Sequence, residues 1–361
     1  MIFVISNTYN SSYFGKFLKE SQALCHLIGD AKIPYENCLK KAEPHDIVDS
    51  RNTKKIFSSL EDSHEFLKEK FPNNKNVKQL DSLKNKYLFR ERIKKAYPDF
   101  EYKLYTENTT LLASDLNKRP KVMKPVSGIA SQGVKILKDL PNGDIVNIVA
   151  TNKSPILVED HIDGIELAID GFYDSGGLPV VLNIMQHDFI NEKDVSDTLY
   201  YTNFMLVEKH RKEIIDLLHT LNLYFDLENF PFHLEVRVDK NKNYIPIEIN
   251  PFRFSGYGTC EILDYAYGIN PYKILNQDYI PDWSIIGNTL PAKAKLNNFG
   301  FVTIETKEEV DHQKISSMFS ELLEYRLINM PNSNIKAIIF FKENDKEKLK
   351  NLLKINDFIQ K

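Results

Sequence analysis

The sequence predicts a mixed α/β (α+β) protein with three parts. Three observations carry this. The first eighty residues alternate strand-like and helix-like pieces, as a small α/β layer does. From about residue 120 to 290, strand-like runs dominate, several of them separated by glycine or Asn/Asp turns. Such turns favour antiparallel pairing. The tail from about 291 reads strand, helix, strand, strand, helix.

In order, MIFVIS is a strand and YFGKFLKESQALCHLIG a helix. HDIVDSR and KKIFSSL are short apolar runs. No glycine occurs in MIFVISNTYNSS. A dinucleotide-binding fold places a glycine-rich turn after its first strand, so a Rossmann oxidoreductase is disfavoured. FPNNKNVKQLDS, residues 71–82, is polar and marks the first boundary. LKNKYLFRERIKKAY follows as a helix with Ser82 as its expected N-cap. The strands of the middle region are KVMKP, VKILKD, DIVNIVA, PILVED, ELAIDGFYD, PVVLNIMQ, HLEVRV and YIPIEIN, interrupted by one helix, EKHRKEIIDLLHTLNLY. The tail elements are GFVTIET, KISSMFSELLEY as a helix, RLINM, KAIIFF and EKLKNLLKI. The expected division is 1–82, 83–290 and 291–361.

Composition bounds the function. At 361 residues the chain can bury a sizeable core. Its 42% apolar and 27% charged content is that of a soluble globular protein. A net charge of −3 gives no basic field for nucleic acid. Cys25, Cys38 and Cys260 form no metal or disulfide pattern, so the expected compartment is the cytoplasm. The N-terminus reads as a strand, not a signal peptide, and no apolar run approaches the roughly 20 residues of a membrane span.

The chemistry starts at HLEVRVDKNKNYIPIEINPFRFSG, residues 233–256. A hairpin centred on Asn241–Lys242 sets Glu235 opposite Glu248 and His233 opposite Asn250. Leu234, Val236, Val238, Ile245, Ile247 and Ile249 then share an apolar face, and Glu235, Arg237, Glu248 and Asn250 the other. Opposed carboxylates repel each other, and a divalent cation removes that penalty. Mg²⁺ takes one or two carboxylates, with phosphates and waters completing its shell. A solvated polar sheet face is the alternative.

Two further segments matter. In KVMKPVSGIASQGVKIL a strand ends at Lys124, and a small-residue loop follows with Ser127, Gly128, Ser131 and Gly133. Small residues let backbone N–H groups approach phosphate, and lysine adds a point charge. No GK[ST] follows, so this is not a Walker A loop. A hairpin turn beside a surface lysine is the plainer reading. In ILVEDHIDGIELAIDGF a strand runs into Glu159, Asp160, His161 and Ile162, Asp163-Gly164 turns the chain, and Glu166 opens a new strand. Such a segment can border a purine, or be an ordinary strand–turn–strand.

In this order, KPVSGIASQGV, VEDHIDGIE and HLEVRV…PIEINP resemble the ATP-grasp superfamily over roughly 83–290. The thirteen-residue interval between Glu235 and Glu248 belongs to the resemblance. It implies an ATP-grasp fold with a preceding N-terminal domain and a lid at 102–158. It implies that Lys124 binds the α/β phosphates and that the loop Ser127–Gly133 closes over ATP. Glu159, His161 and Ile162 would belong to the adenine hinge, and Glu166 would take the ribose. Glu235, Glu248 and Asn250 would hold Mg²⁺, with Mn²⁺ able to substitute. Lys86 looks like the family's earlier ATP-binding lysine, with Lys84 as its rival.

DGFYDSGG and FHLEVR are most like the amino-acid and dipeptide ligase branch. The resemblance there implies ATP-driven amide formation through an acylphosphate, from small carboxylate and amine substrates. Arg253 and Arg237 would contact the substrate carboxylate or the moving phosphate. In that branch the arginine sits nearer the Asn-Pro pair, whereas Phe252 intervenes here. Residues 185–203 are expected to border the substrate, with His187, Tyr200 and Tyr201 unassigned. No nucleic-acid or membrane partner is expected, and a homodimer is compatible. The alternatives are kinase-like phosphoryl transfer to a hydroxyl, and a non-catalytic ATP-binding regulator.

Overall fold

The computed structural model describes residues 1–6, 12–21, 23–28, 40–41, 55–128, 133–141, 143–191, 194–255, 258–277, 279–305, 315–328 and 335–356. HDIVDSR and Ser131 lie outside them. The strands are β1 (Ile2–Ser6), β2 (Leu24–Ile28), β3 (Lys40–Lys41), β4 (Ile56–Ser58), β5 (Tyr102–Tyr105), β6 (Thr109–Leu112), β7 (Lys121–Pro125), β8 (Lys135–Leu137) and β9 (Ile145–Ile148). They continue with β10 (Ile156–Asp160), β11 (Gly164–Tyr173), β12 (Pro179–Asp188), β13 (Leu199–Thr202), β14 (Phe230–Asp239), β15 (Tyr244–Pro251), β16 (Asn298–Glu305), β17 (Glu321–Leu327) and β18 (Ile335–Glu343).

The N-terminal layer is a parallel sheet, ordered β3-β2-β1-β4. The run expected as one long helix is a helix over Ser12–Ser21 and then β2. LCHLI pairs residue for residue with β1, and that ladder outweighs local helix preference. A small antiparallel sheet, β5-β10-β7-β8, and the pair β6-β9 lie in the stretch expected as the lid. The main sheet is antiparallel throughout, ordered β15-β14-β11-β12-β13-β16-β18-β17. The tail strands therefore extend the central sheet.

In the tail, the helix expected over KISSMFSELLEY gives way to β17 from Glu321. Pairing with β18 decides this, because ELLEYRL satisfies its backbone along that edge. The helix expected from Ser82 is two helices, Leu80–Lys84 and Lys86–Ile93. Asn85 breaks them with extended backbone, and its Oδ1 accepts the Leu88 N–H at 3.0 Å. Ser82 instead donates from Oγ to the Gln79 carbonyl within the first turn. The cap thus belongs to Asn85, and the break turns Lys84 and Lys86 toward the same region.

One apolar core runs from the N-terminal layer into the main sheet. Its seam is aromatic. Phe14 meets Tyr272 at 4.6 Å, Phe57 meets Phe254 at 5.4 Å, and Phe57 meets Tyr272 at 5.5 Å between ring centres. Such pairs add about 0.5–1.5 kcal/mol each beyond area burial. Ser58 N–H also bonds the Phe252 carbonyl at 2.7 Å. This seam fixes the chain after β4 against the chain after β15, which is where the site forms. Among the described residues, no helix is long and apolar enough to cross a membrane.

Candidate active site

Register builds the polar face. Strands β12, β11, β14 and β15 align Asn183, Asp170, His233 and Asn250 in one row. The next row is Met185, Ala168, Glu235 and Glu248, and the next His187, Glu166 and Arg237. The expected pairs Glu235–Glu248 and His233–Asn250 form. Beyond them the register shifts at Val236, which pairs with Pro246. That bulge corrects the expected faces. Tyr244, opposite Val238, joins the apolar core in place of Ile245. One extra residue moves every later side chain to the other face.

Glu235 and Glu248 face unlike surroundings. Glu248 takes Lys86 Nζ at 2.7 Å on Oε2 and Lys84 Nζ at 3.3 Å on Oε1. Against the upward push of burial, these two ammonium groups hold its carboxyl below the usual range. Glu235 has no lysine or arginine bridge among the described residues. His233 Nε2 lies 3.9 Å from its Oε1, and its side chain is 28% exposed. Burial of the cleft floor pushes its carboxyl well up, and Glu248, Glu166 and Asp197 add to the push. Asn250 accepts Lys84 Nζ on Oδ1 at 2.9 Å. Two opposed carboxylates and an amide oxygen, one acid lacking a counter-ion, are a donor set that fits a hard divalent cation. No group of three His, Cys, Asp or Glu side chains that could hold a metal occurs among the described residues, so phosphate or water oxygens would have to complete the shell.

Behind this pair, His233 Nδ1 meets Asp170 Oδ1 at 2.8 Å, and the Ser255 N–H donates to the same oxygen at 3.0 Å. Asp170 thereby ties the loop after β15 to the floor of the sheet.

The expected phosphate and hinge residues gather on the other wall. Lys124 and Glu159 lie diagonally across β7 and β10 and bridge at 2.5 Å. Arg90 closes a fork on Glu159, Nε to Oε2 at 2.7 Å and Nη2 to Oε1 at 3.1 Å. Burial works against the carboxylate, but Arg90 and Lys124 hold it at about 2. Burial pulls the Lys124 ammonium below its usual value. The side chain of Glu159 is thus spent on ion pairs. His161 donates its N–H to the Pro120 carbonyl at 2.8 Å, and Ile162 is buried beside it. Ser127 is exposed and Gly128 half-buried at the loop's entry. Gly133 closes it at φ +76°, with Pro125 Cγ 3.0 Å from where a Cβ would stand. Only glycine sits there without strain.

Glu166 lies between His187 and Arg237. His187 Nδ1 meets Oε1 at 2.8 Å and Arg237 Nε meets Oε2 at 2.8 Å. Burial opposes the charge, and His187 and Arg237 hold the carboxyl at about 2. His187 Nε2 also faces the Ser196 carbonyl at 2.9 Å. Both ring nitrogens face acceptors; burial pulls the His187 pKa down, but the hydrogen bond and charge of Glu166 raise it above its usual value. It stacks on Tyr200 at 4.0 Å, and the Tyr200 hydroxyl donates to Asp197 at 3.0 Å. Arg237 covers the Phe189 ring at 4.8 Å. Tyr201 donates to Asp188 at 3.2 Å.

Arg253 is held by the N-terminal layer. Phe252, at φ +64°, buries its ring 5.0 Å from Phe230. Arg253 then bonds Glu61 Oε1 at 2.8 Å, and its Nε is buried without a hydrogen-bond partner among the described residues. Glu61 also takes Lys84 Nζ at 2.7 Å. Burial opposes it, and Lys84 and Arg253 hold Glu61 at about 2. Nearby His64 is lowered to about 4 by burial against the upward pull of Glu61, with Lys84, Arg253 and Lys68 adding to the lowering. Sequence reasoning missed Glu61 and His64. SLEDSHEF reads as an ordinary helix start, and nothing local shows that the seam brings it to β15.

Residues 117–261 match the ATP-grasp domain family. These residues form an ATP-grasp domain. The whole chain has the fold of solved ATP-grasp proteins. It is similar to L-amino acid ligase from Bacillus licheniformis at TM-score 0.61 and 16% identity, covering 99% of this chain and 97% of that one. It is also similar to N5-carboxyaminoimidazole ribonucleotide synthetase from Thermotoga maritima at TM-score 0.64 and 15% identity, covering 99% and 98%. In sequence, alanine–anticapsin ligase of Bacillus amyloliquefaciens is 21% identical over 181 residues, 43% of this chain and 38% of that protein's length. The ATP-grasp domain contains Lys124, the loop to Gly133, Glu159, Glu166 and the Glu235–Glu248 pair. Lys84, Lys86, Arg90 and Glu61 come to it from outside the matched stretch.

Proposed function

We propose that this protein is an ATP-dependent carboxylate–amine ligase acting on small, amino-acid-like substrates. The observation that carries it is the opposed pair Glu235–Glu248 with Asn250, set on one floor with Lys86 and Lys84. Glu235, Glu248 and Asn250 would hold Mg²⁺, or Mn²⁺ in its place. The metal would neutralise charge on the phosphates. The rest is positioning by this chain's own groups.

Lys86 reaches the phosphates by loosening from Glu248, and Lys124 binds the α/β phosphates from its fixed place against Glu159. The loop through Ser127, Gly128, Ser131 and Gly133 covers them. The segment Glu159–Ile162 borders the adenine, and Glu166 lies toward the ribose, held in place by His187 and Arg237. Arg253 offers its spare Nε to a substrate carboxylate or the moving phosphoryl group. A substrate carboxylate attacks the γ-phosphorus, ADP leaves, and an amine displaces phosphate from the acylphosphate to give an amide. No protein nucleophile is needed. In this reading residues 1–82 precede the ATP-grasp unit at 83–290, with a lid at about 102–158 and a tail unit at 291–361. The protein would work in the cytoplasm.

The test is ADP release screened over pairs of amino acids, with product mass as the second readout. Release should require both an acid and an amine, and Glu248→Gln should lower turnover about 100-fold or more while the fold stays intact. Release with an alcohol alone would replace the ligase reading by phosphoryl transfer to a hydroxyl. Unchanged turnover in Glu248→Gln would sink the metal assignment.

A further inference from the structure

Lys84 stands where three oxygens from two parts of the chain converge. Its Nζ lies 2.7 Å from Glu61 Oε1, 2.9 Å from Asn250 Oδ1 and 3.3 Å from Glu248 Oε1. Two of these oxygens belong to the side chains assigned above to the metal. The third belongs to the N-terminal layer. Lys86 holds the remaining oxygen of Glu248, so the carboxylate is fully engaged by ammonium groups. A divalent cation and an ammonium cannot share the same oxygens closely, since the two charges repel strongly across a cleft of low dielectric. Lysine's long, flexible stem lets one end move while the backbone stays put. Helix Leu80–Lys84 is anchored beside β15 by buried Leu80 and Leu83.

We propose that Lys84 is an exchangeable counter-ion that makes metal binding conditional on nucleotide. This rests on the metal assignment under the proposed function. Without nucleotide, Lys84 occupies the oxygens of Glu248 and Asn250 and competes with free divalent cation. With nucleotide, the added phosphate charge gives its Nζ a new partner, and Glu61 keeps its bridge to the same ammonium. The lysine then supports the metal–nucleotide complex that it opposed before. Its role is positioning and selectivity, and it favours the metal–nucleotide complex over the bare ion.

The two states give opposite signs, which a general electrostatic field would not. Mn²⁺ binding is read by electron paramagnetic resonance, with and without adenylyl imidodiphosphate, for the wild-type chain, Lys84→Met, Lys84→Gln and Glu61→Gln. Removing the ammonium should tighten Mn²⁺ alone about tenfold and weaken Mn²⁺ with the nucleotide analogue about tenfold, the scale of one strong charge pair. Glu61→Gln leaves the lysine only Glu248 and Asn250, so it should weaken Mn²⁺ binding without nucleotide. Glu248→Gln marks the site and should lose Mn²⁺ in both states. Equal signs in the two states, or no change in either, would overturn the exchange. Unchanged Mn²⁺ affinity in Glu61→Gln would do the same, and it stays decisive where the Lys84 variants do not fold. Should Glu248→Gln bind Mn²⁺ like the wild type, the metal site itself falls and the exchange with it. A normal loss there, with no effect at Lys84, removes the exchange alone.

Discussion

Glu159 and Glu235 are both acids on strands that face one cleft, and their surroundings are opposite. Glu159 is gripped by Arg90 through both oxygens and by Lys124 as well. Its charge is locked in and its carboxyl sits at about 2. Glu235 has other acids for neighbours and no cation bridge among the described residues, and its carboxyl is pushed well up. A satisfied acid ties elements together. An unsatisfied one costs stability and is kept where a ligand can satisfy it. The same contrast divides the site into a fixed wall, Lys124–Glu159–Arg90, and an exchangeable floor, Glu235–Glu248 with Lys84 and Lys86.

The contrast breaks first at the wall. Glu159→Gln leaves Arg90 and Lys124 buried with one partner fewer, and unfolding in urea should show a loss of about 3–5 kcal/mol. A loss below about 1 kcal/mol would mean that the wall is no more than a surface-like pair.

Acid should act on the same groups more gradually. Glu61, Glu159 and Glu166 are each held at about 2. Their stabilising share is complete above the ordinary carboxylate value of 4.5 and drains away as pH falls from there toward 2. Stability followed by urea midpoint should therefore fall steeply below pH 4.5. A flat profile down to pH 3 would contradict these pairings.

The floor should respond least, and in the other direction. Glu235 is raised, so its protonated form favours folding at low pH and the advantage is lost as pH climbs from 4.5 through its raised value. Glu235→Gln should stabilise the ligand-free chain by about 1 kcal/mol at alkaline pH, from relief of opposed like charges. The gain should shrink toward pH 5 and disappear below 4.5. A variant less stable than wild type at pH 9 would place a hidden cation beside Glu235.

Much of this was legible along the chain because it is local. The alternation in HLEVRV and PIEIN sets one polar face, and the loop length sets Glu235 against Glu248. Lys124 near the end of its strand is read in the same way, whereas Gly164, read as part of a turn, begins β11, where a Cβ would stand 2.0 Å from the Val238 carbonyl oxygen. What stayed hidden depends on distance in sequence. Lys84 meets Glu248 and Asn250 of β15, and Glu61 meets Arg253 just beyond it, across intervals of well over a hundred residues. The bulge at Val236 moved Tyr244 into the core against the simple register. Pairing with β18 turned ELLEY from helix into strand. Periodicity records which face a residue takes within its own element. Which charge meets which, and which acid goes without a partner, follows from how the elements pack, because Coulomb energy depends on separation in space and not along the chain.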